Sequence, residues 1–411
     1  MKILSIETSC DETAVAVIEC SGEFENPSFK ILGNSLLSQI EIHKEYGGVF
    51  PSLAKREHAK NLVPLLENTL KQSSLYLEAH LEAHLEARPP SKMSNKKIKE
   101  IEKILEREHG LFEKLKELLS KIEIPEINAV AVTYGPGLEP ALWVGLNFAK
   151  ALSSVWNKPL IPINHMEGHI FSVLMHRKNE FQISNFQFPM IALLISGGHT
   201  ELILIKDWLN YEIIGQTRDD AVGEAFDKVA RMLGLPYPGG PHISTLAEMS
   251  RKEYLRSSAS NLRKSAFQLP RPMINSDDFD FSFSGLKTSV LYKIKKLPKI
   301  TDGIKKEIAR EFEDAVVDVL ISKTKKALQK YNAKTLIIGG GVVANKQIRL
   351  AFSNLVSKTP SDEKIQLLLP ESSLSTDNAV MIGIAGYFRF LKEKKSPNDF
   401  KNLSAQGNLR L

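Results

Sequence analysis

The sequence predicts an α/β protein made of two similar halves. One observation is a strand, a small polar turn and a returning strand that occur twice. The other is a series of apolar strands that each run into a glycine-rich or polar loop and then a helix. In the first half, Lys2–Glu7 is a short apolar run, Thr8-Ser9-Cys10-Asp11-Glu12-Thr13 is the turn, and Ala14–Glu19 returns. In the second, Met190–Ile195 leads into Ser196-Gly197-Gly198-His199-Thr200, and Glu201–Ile205 returns. Apolar runs bounded by turn residues read as buried strands. A hairpin turn rich in hydroxyls, backbone N–H groups and an acid can hold a phosphate and its metal ion. Two such hairpins point to a duplicated domain with a cleft between the copies.

Three further junctions follow the same logic. Asn128–Tyr134 runs into Gly135-Pro136-Gly137 and a helix from about Pro140 to Leu152. Thr335–Ile338 runs into Gly339-Gly340-Gly341, then Val342–Asn345 and a helix. Ile365–Leu369 is followed by a polar stretch that reaches Asp377-Asn378 and a helix over Ala379–Leu391. Ligands of open α/β sheets sit at the carboxyl ends of strands, where these loops lie.

At 411 residues, two domains are expected. No apolar run approaches the roughly 20 residues of a membrane span. The acid Glu7 arrives too early for the apolar core of a signal peptide, so a cytoplasmic protein with no membrane partner is expected. Only two cysteines, Cys10 and Cys20, argue against a disulfide framework and suit a reduced compartment. The net charge of +6 is small for this length and permits a nucleic-acid partner without demonstrating one.

Residues Ser73–Lys121 depart from this pattern. Leu77-Glu78-Ala79-His80 recurs as Leu81-Glu82-Ala83-His84 and as Leu85-Glu86-Ala87, and Pro89-Pro90 precedes a Lys/Glu-rich stretch. There Ile98, Ile101, Leu105, Phe112, Leu115 and Leu119 keep a three-four spacing that Glu108 interrupts. An inserted helical hairpin is predicted, either a solvated pair packed on the body or an arm that docks a partner. His80 and His84 have metal-ligand spacing, which repeat expansion explains better.

Asn164-His165-Met166-Glu167-Gly168-His169 is the sharpest local signal. On a helix His165 and His169 lie one turn apart on one face, so two imidazoles can share a metal. A zinc-peptidase motif needs glutamate directly after the first histidine, and Met166 holds that place. A third ligand must come from a distance. Asp377 is the candidate, with helix capping as its alternative role. Such a set suits iron or zinc, and the sequence does not choose. Ser196–Gly198 offers backbone donors for a phosphate, while Gly339–Gly341 with Asn345 would let a purine and ribose lie against backbone. Glu224 and Asp227 share a helix face, and a carboxylate there could bind a ribose hydroxyl or simply be solvated. Pro238-Gly239-Gly240-Pro241 is a rigid turn that could close over a ligand.

In this order the motifs resemble the tRNA adenosine threonylcarbamoyltransferase family, once described as glycoprotein endopeptidases. The matching segments are Ile3–Val17, Tyr46–His58, Gly135–Leu138, Asn164–His169, Leu194–Leu202, Asp219–Pro241, Phe281–Thr288, Ile337–Asn345 and Ser375–Gly383. The Ser-Gly-Gly-His-Thr form is similar to bacterial members. The resemblance implies an actin/Hsp70/sugar-kinase type of fold, with RNase H-like lobes around a nucleotide cleft. Lobes over 1–187 and 188–411 are expected, with the insertion at 73–121 in the first and the last helix packing back toward it. It also implies iron or zinc at His165, His169 and Asp377. The substrate threonylcarbamoyl-AMP would lie at Leu194, Ile195, Ser196, Gly197, Gly198, Asp227, Gly240 and Asn345. Asp11 is the expected proton acceptor. Expected partners are tRNA, an inactive paralogue of the same fold and a small P-loop ATPase. Two departures stand out: Glu139-Pro140, and the insertion, which lies on the half that would meet the paralogue. A kinase or ATPase of the same fold, a metallopeptidase and a non-catalytic assembly subunit are the rival readings.

Overall fold

The structure, a computed structural model, describes residues 1–78, 93–174, 180–182, 187–256, 267–358, 364–371, 374–393 and 402–411. Most of the repeat at 77–87, with His80 and His84, and Pro89-Pro90 lie outside these residues. The chain divides into two compact units, Met1–Asn185 with Asp377–Leu411, and Phe186–Thr376.

The first unit contains β1 (Lys2–Glu7), β2 (Glu12–Ser21), β3 (Ser28–Ser38), α1 (Ile40–His43), α2 (Pro51–Gln72), α3 (Asn95–Ile104), α4 (Leu111–Lys121), β4 (Ala129–Gly135), α5 (Glu139–Trp156), β5 (Leu160–Asn164), α6 (His165–Phe171) and β6 (Glu180–Gln182). Its sheet has the order β5-β4-β1-β2-β3-β6. β1 to β3 form an antiparallel meander, and β4 and β5 join β1 in parallel. A central strand must hide both faces, and β1, β2 and β4 are apolar on both with almost every residue buried.

The second unit contains β7 (Met190–Ile195), β8 (Thr200–Asp207), β9 (Asn210–Gln216), α7 (Val222–Met232), α8 (Gly239–Arg256), α9 (Ser284–Lys295), α10 (Asp302–Tyr331), β10 (Thr335–Gly339), α11 (Lys346–Ser357) and β11 (Gln366–Leu368). The order β11-β10-β7-β8-β9 repeats that of the first unit from β5 to β3. The repeat includes the antiparallel meander and the two parallel strands. This is the duplication that the two hairpins predict, in the actin/Hsp70/sugar-kinase type of fold that the resemblance implies.

The chain then returns to the first unit as α12 (Ala379–Lys392), which packs on β1, β2, β4, β5 and α6. Small residues permit the close approach. A Cβ on Gly383 would meet Ile18 Cδ1 at 2.8 Å, and one on Gly386 would meet Ala131 Cβ at 2.8 Å. Ser5 Oγ donates to the carbonyl of Ala379 at 2.6 Å and ties the helix start to β1.

In the inserted region α3 and α4 pack on α5 and α2 through Ile101, Leu105, Leu111, Leu115 and Leu119, all buried. Glu108 does not break this seam. It is buried within it, 3.3 Å from Lys55 Nζ, and accepts a hydrogen bond from Asn147 Nδ2 at 3.2 Å. A buried carboxylate with a cation and an amide can stay in an apolar seam. Among the described residues no helix is long and apolar enough to cross a membrane.

Candidate metal centre and phosphate turn

Two histidines meet one aspartate in the first unit because three element ends converge. β5 ends at Asn164, whose side chain accepts from Met166 N at 2.8 Å and so starts α6 at His165. His165 and His169 then lie one turn apart, with ring centroids 4.6 Å from each other. Asn378 caps α12 by accepting from Met381 N at 3.0 Å, which fixes the chain just after Asp377. Capping therefore falls to Asn378 and leaves the Asp377 carboxylate directed at the histidines. Its Oδ1 lies 3.4 Å from His165 Nε2 and 3.2 Å from His169 Nε2. One ligand atom from each of the three residues falls within 4.8 Å of the others.

Glu7, at the end of β1, completes the arrangement. Its fully buried carboxylate accepts from Ser9 N at 2.5 Å and from Thr133 Oγ1 at 2.6 Å. Its Oε2 lies 3.1 Å from His165 Nδ1, and Ser9 Oγ lies 3.2 Å from the same nitrogen. An ionised carboxylate only accepts, so Nδ1 carries the proton and Nε2 presents its lone pair. That lone pair faces an Asp377 oxygen, one acceptor against another, so a proton or a metal ion must lie between them. Burial opposes a charged His165 ring, yet Asp377 and Glu7 together hold its pKa well above the ordinary value. Burial likewise works against the Asp377 charge, and the two histidines nonetheless hold its pKa far below the usual carboxylate range. Both His169 nitrogens are buried without a hydrogen bond of good geometry among the described residues. Two imidazoles, one carboxylate and an orphaned buried nitrogen fit a divalent ion of the iron or zinc class.

The turn after β1 borders this centre. The carbonyls of Ser9, Cys10 and Asp11 are each held, by Leu138 N at 2.7 Å, His58 Nε2 at 3.0 Å and Gln39 N at 2.9 Å. Gly137 explains part of the Gly-Pro-Gly-Leu motif, since a Cβ there would sit 2.6 Å from Ser9 O. Asp11 is 8% exposed, in this turn. Burial, then Asp11 and Asp377, push the pKa values of Cys10 and Glu12 well up. Glu167 plays no part in the metal set; it is buried and accepts from Arg389 Nε of α12 at 2.9 Å.

In the second unit the remaining predicted residues fall on β7 and the turn after it, on α7, at the start of α8 and at the start of α11. Leu194 and Ile195 are buried strand residues. Ser196 N donates to His199 O at 2.9 Å, and His199 N donates to Ser196 Oγ at 3.0 Å. Gly223 N, at the start of α7, donates to Ser196 O at 3.1 Å. A Cβ on Gly197 or Gly198 would meet nothing within 4 Å, and both residues are exposed. The turn is thus a braced backbone concavity open to an anion. Asp227 accepts from Gly239 N at 2.6 Å and sets the start of α8, where a Cβ on Gly240 also faces open space. Asn345 is committed at both ends of its amide. Oδ1 caps α11 through Ile348 N, while Nδ2 donates to Ser244 Oγ and Glu313 Oε1, both at 2.7 Å. Glu313 in turn accepts from Arg251. Of the acids predicted beside Asp227, Glu224 pairs with Lys228 at 2.7 Å, and Asp219 accepts from Ser282, Phe283 and Ser284 at the start of α9.

Glu7, Ser9, Thr133 and Glu313 are not singled out by sequence patterns. The available signal was an acid closing an otherwise apolar strand, at Glu7.

The duplicated topology and the carboxylate-oriented histidine pair define a protein of the actin-like fold with a metal-ready centre in its first unit. The family model for tRNA N6-adenosine threonylcarbamoyltransferase matches residues 30–83 and 108–384. The enzyme of that name from Thermosipho melanesiensis is 40% identical over all of both chains. That from Persephonella marina is 39% identical, over 100% of this chain and 95% of its own. Among solved structures, (R)-2-hydroxyglutaryl-CoA dehydratase component A of Acidaminococcus fermentans matches with a TM-score of 0.41 and 12% identity, over 96% of this chain and 100% of that one. The chain belongs to the tRNA N6-adenosine threonylcarbamoyltransferase family. Residues 84–107, within the inserted region, lie outside the family match.

Proposed function

We propose that the chain moves a threonylcarbamoyl group from threonylcarbamoyl-AMP to the exocyclic amine of the adenosine 3′ of the anticodon. The tRNAs concerned are those that read codons beginning with A. The observation that carries the reading is the convergence of His165, His169 and Asp377 on one point, with Glu7 fixing the tautomer of His165.

The adenosine amine is a weak nucleophile because its lone pair is delocalised into the purine. The acyl group must therefore arrive activated, as a mixed anhydride with AMP. The amine nitrogen forms a bond to the carbamoyl carbon, the bond from that carbon to the phosphate oxygen breaks, and AMP leaves with the electron pair. The amine proton passes to a base, and Asp11 is the carboxylate assigned to it. His165, His169 and Asp377 would hold the metal, iron or zinc. When bound, it would bind and polarise the threonylcarbamoyl carbonyl. In the second unit the Ser196–Gly198 backbone would hold the adenylate phosphate, whose charge grows as AMP departs. The target base lies in a single-stranded loop, so presenting it breaks no base pairs. An inactive paralogue of the same fold and a small P-loop ATPase are the proposed protein partners.

The test is nucleoside mass spectrometry of tRNA after incubation with the purified protein and threonylcarbamoyl-AMP. Threonylcarbamoyladenosine should accumulate with the wild type and not with His165→Ala or His169→Ala. ATP hydrolysis indifferent to tRNA, with no modified nucleoside, would favour a kinase or ATPase instead. A peptidase is disfavoured by Met166, since no glutamate follows His165.

A further inference from the structure

The segment Tyr46–His58 is absorbed neither by the metal centre nor by the phosphate turn, yet it feeds a buried network that ends on the Asp11 turn. Phe50 N donates to His43 Nδ1 at 3.3 Å. A backbone amide only donates, so the neutral His43 ring carries its proton on Nε2, which lies 3.2 Å from Gln39 Oε1. The Gln39 amide thereby directs Nε2 at His58 Nδ1, 3.3 Å away, where Thr13 Oγ1 also lies at 2.8 Å. His58 Nδ1 accepts, so its Nε2 donates to the carbonyl of Cys10 at 3.0 Å. Gln39 N donates to the next carbonyl, that of Asp11, at 2.9 Å.

Every donor in this chain points the same way, and His43, Gln39, His58 and Thr13 are all 0% exposed. The first donor is a backbone amide, which cannot supply a proton, so the chain is not a proton wire. Its product is a fixed direction for two successive carbonyls.

We infer that His43, Gln39 and His58 are positioning residues for the transfer reaction, locking the Cys10 and Asp11 backbone so that the Asp11 carboxylate is held in one orientation. This rests on the reading of Asp11 as proton acceptor. Burial keeps both rings neutral: His58 is lowered to about 4 and His43 is lowered too, against the opposing charges of Glu7 and Glu57 at His58 and of Asp11 and Glu57 at His43. His43 also lowers the tendency of His58 to charge.

The experiment has two readouts on the full chain. In ¹⁵N-histidine NMR, with signals assigned by loss in the variants, both rings should show the Nε2–H tautomer at pH 8, and His58 should keep it unchanged down to pH 5.5. A ring with its proton on Nδ1, or a His58 that titrates near the ordinary value, overturns the network. In steady-state kinetics, His58→Leu should lower kcat at least tenfold while KM for tRNA and metal content stay within about twofold of wild type. His58→Gln, which can donate from the Nε2 position, should return kcat to within about threefold. Should His58→Leu fail to fold, Gln39→Met breaks the link between the rings and spares the backbone amide on Asp11; it should also lower kcat. Unchanged kcat in the folded variants overturns the inference. A wild-type protein that transfers nothing, with the tautomers as stated, instead overturns the proposed function and leaves the network standing.

Discussion

Glu7 Oε2 lies 3.1 Å from His165 Nδ1, and this pair decides which nitrogen of His165 can meet a metal. Ser9 N and Thr133 Oγ1 hold the carboxylate from other directions, so it cannot swing away. Replacing such an outer partner typically weakens metal binding about 10–100-fold. Glu7→Ala should therefore lose divalent-metal affinity by that order in a competitive titration while keeping its far-UV circular dichroism. Wild-type affinity in a folded Glu7→Ala protein would show that the carboxylate is scaffolding only.

Asp377 connects both imidazoles, so its loss should remove the ion more completely than loss of Glu7. Metal analysis of Asp377→Ala should find less than a tenth of the wild-type content, and tRNA modification should fall with it. Chelation of the wild type should give the same loss, restored by adding back iron or zinc. Activity that survives exhaustive chelation would remove the metal from the reaction.

Gly198 faces open space, so an added methyl should cost the fold no more than about 0.5 kcal/mol. The same methyl would stand where an anion approaches the backbone. Gly198→Ala should raise KM for threonylcarbamoyl-AMP at least tenfold with an unchanged melting temperature. An unchanged KM would show that the phosphate is held elsewhere.

Gly137 is the opposite case, because a Cβ there would lie 2.6 Å from Ser9 O. Overpacking of this kind costs about 1–3 kcal/mol. Gly137→Ala should shift the urea midpoint down by a corresponding amount. It should also weaken metal binding, since Ser9 adjoins His165. A wild-type midpoint would mean that the turn yields freely.

His58 has a pH signature of its own. Its pKa is lowered by burial from 6.5 to about 4 in the folded chain. Between those values the unfolded chain binds a proton that the folded one refuses, so stability falls as pH drops through that window. The contribution is complete above about pH 6.5 and is lost by about pH 4, amounting to at most about 3 kcal/mol. Comparing urea unfolding of the wild type and His58→Gln at pH 7 and pH 5 reads it: the wild type should lose more stability than the variant. Parallel losses would show that His58 titrates normally.

The elements legible in the sequence are those with continuous apolar runs. β1 and β7 are read to the residue because each is a buried run closed by a polar turn. β3 and β9 escape because they lie at or near a sheet margin, where half-exposed residues and register shifts blur the alternation. α10, 30 residues long, escapes because it carries charged residues on much of its surface while burying Lys323 and Glu313. The His165 and His169 pairing is readable from local spacing. Glu7 is not, since only the parallel pairing of β1 with β4 and the turn into α6 bring it to His165. Glu108 looks like a break in a seam because a pattern cannot show that Lys55 and Asn147 wait beside it.

The helix that closes the first unit over Gly383 and Gly386 begins at Ala379, far along the chain from β1, which ends at Glu7, and from β4, which ends at Gly135. On a ribosome adding roughly 5–20 residues per second, β1, β2 and β4 wait about 12–75 s with one apolar face bare. The whole second unit can be made and folded in that interval. Asp377 emerges at the end of the same delay, so a nascent chain cannot load its ion early, and a message truncated before α12 would yield two histidines on an unfinished sheet.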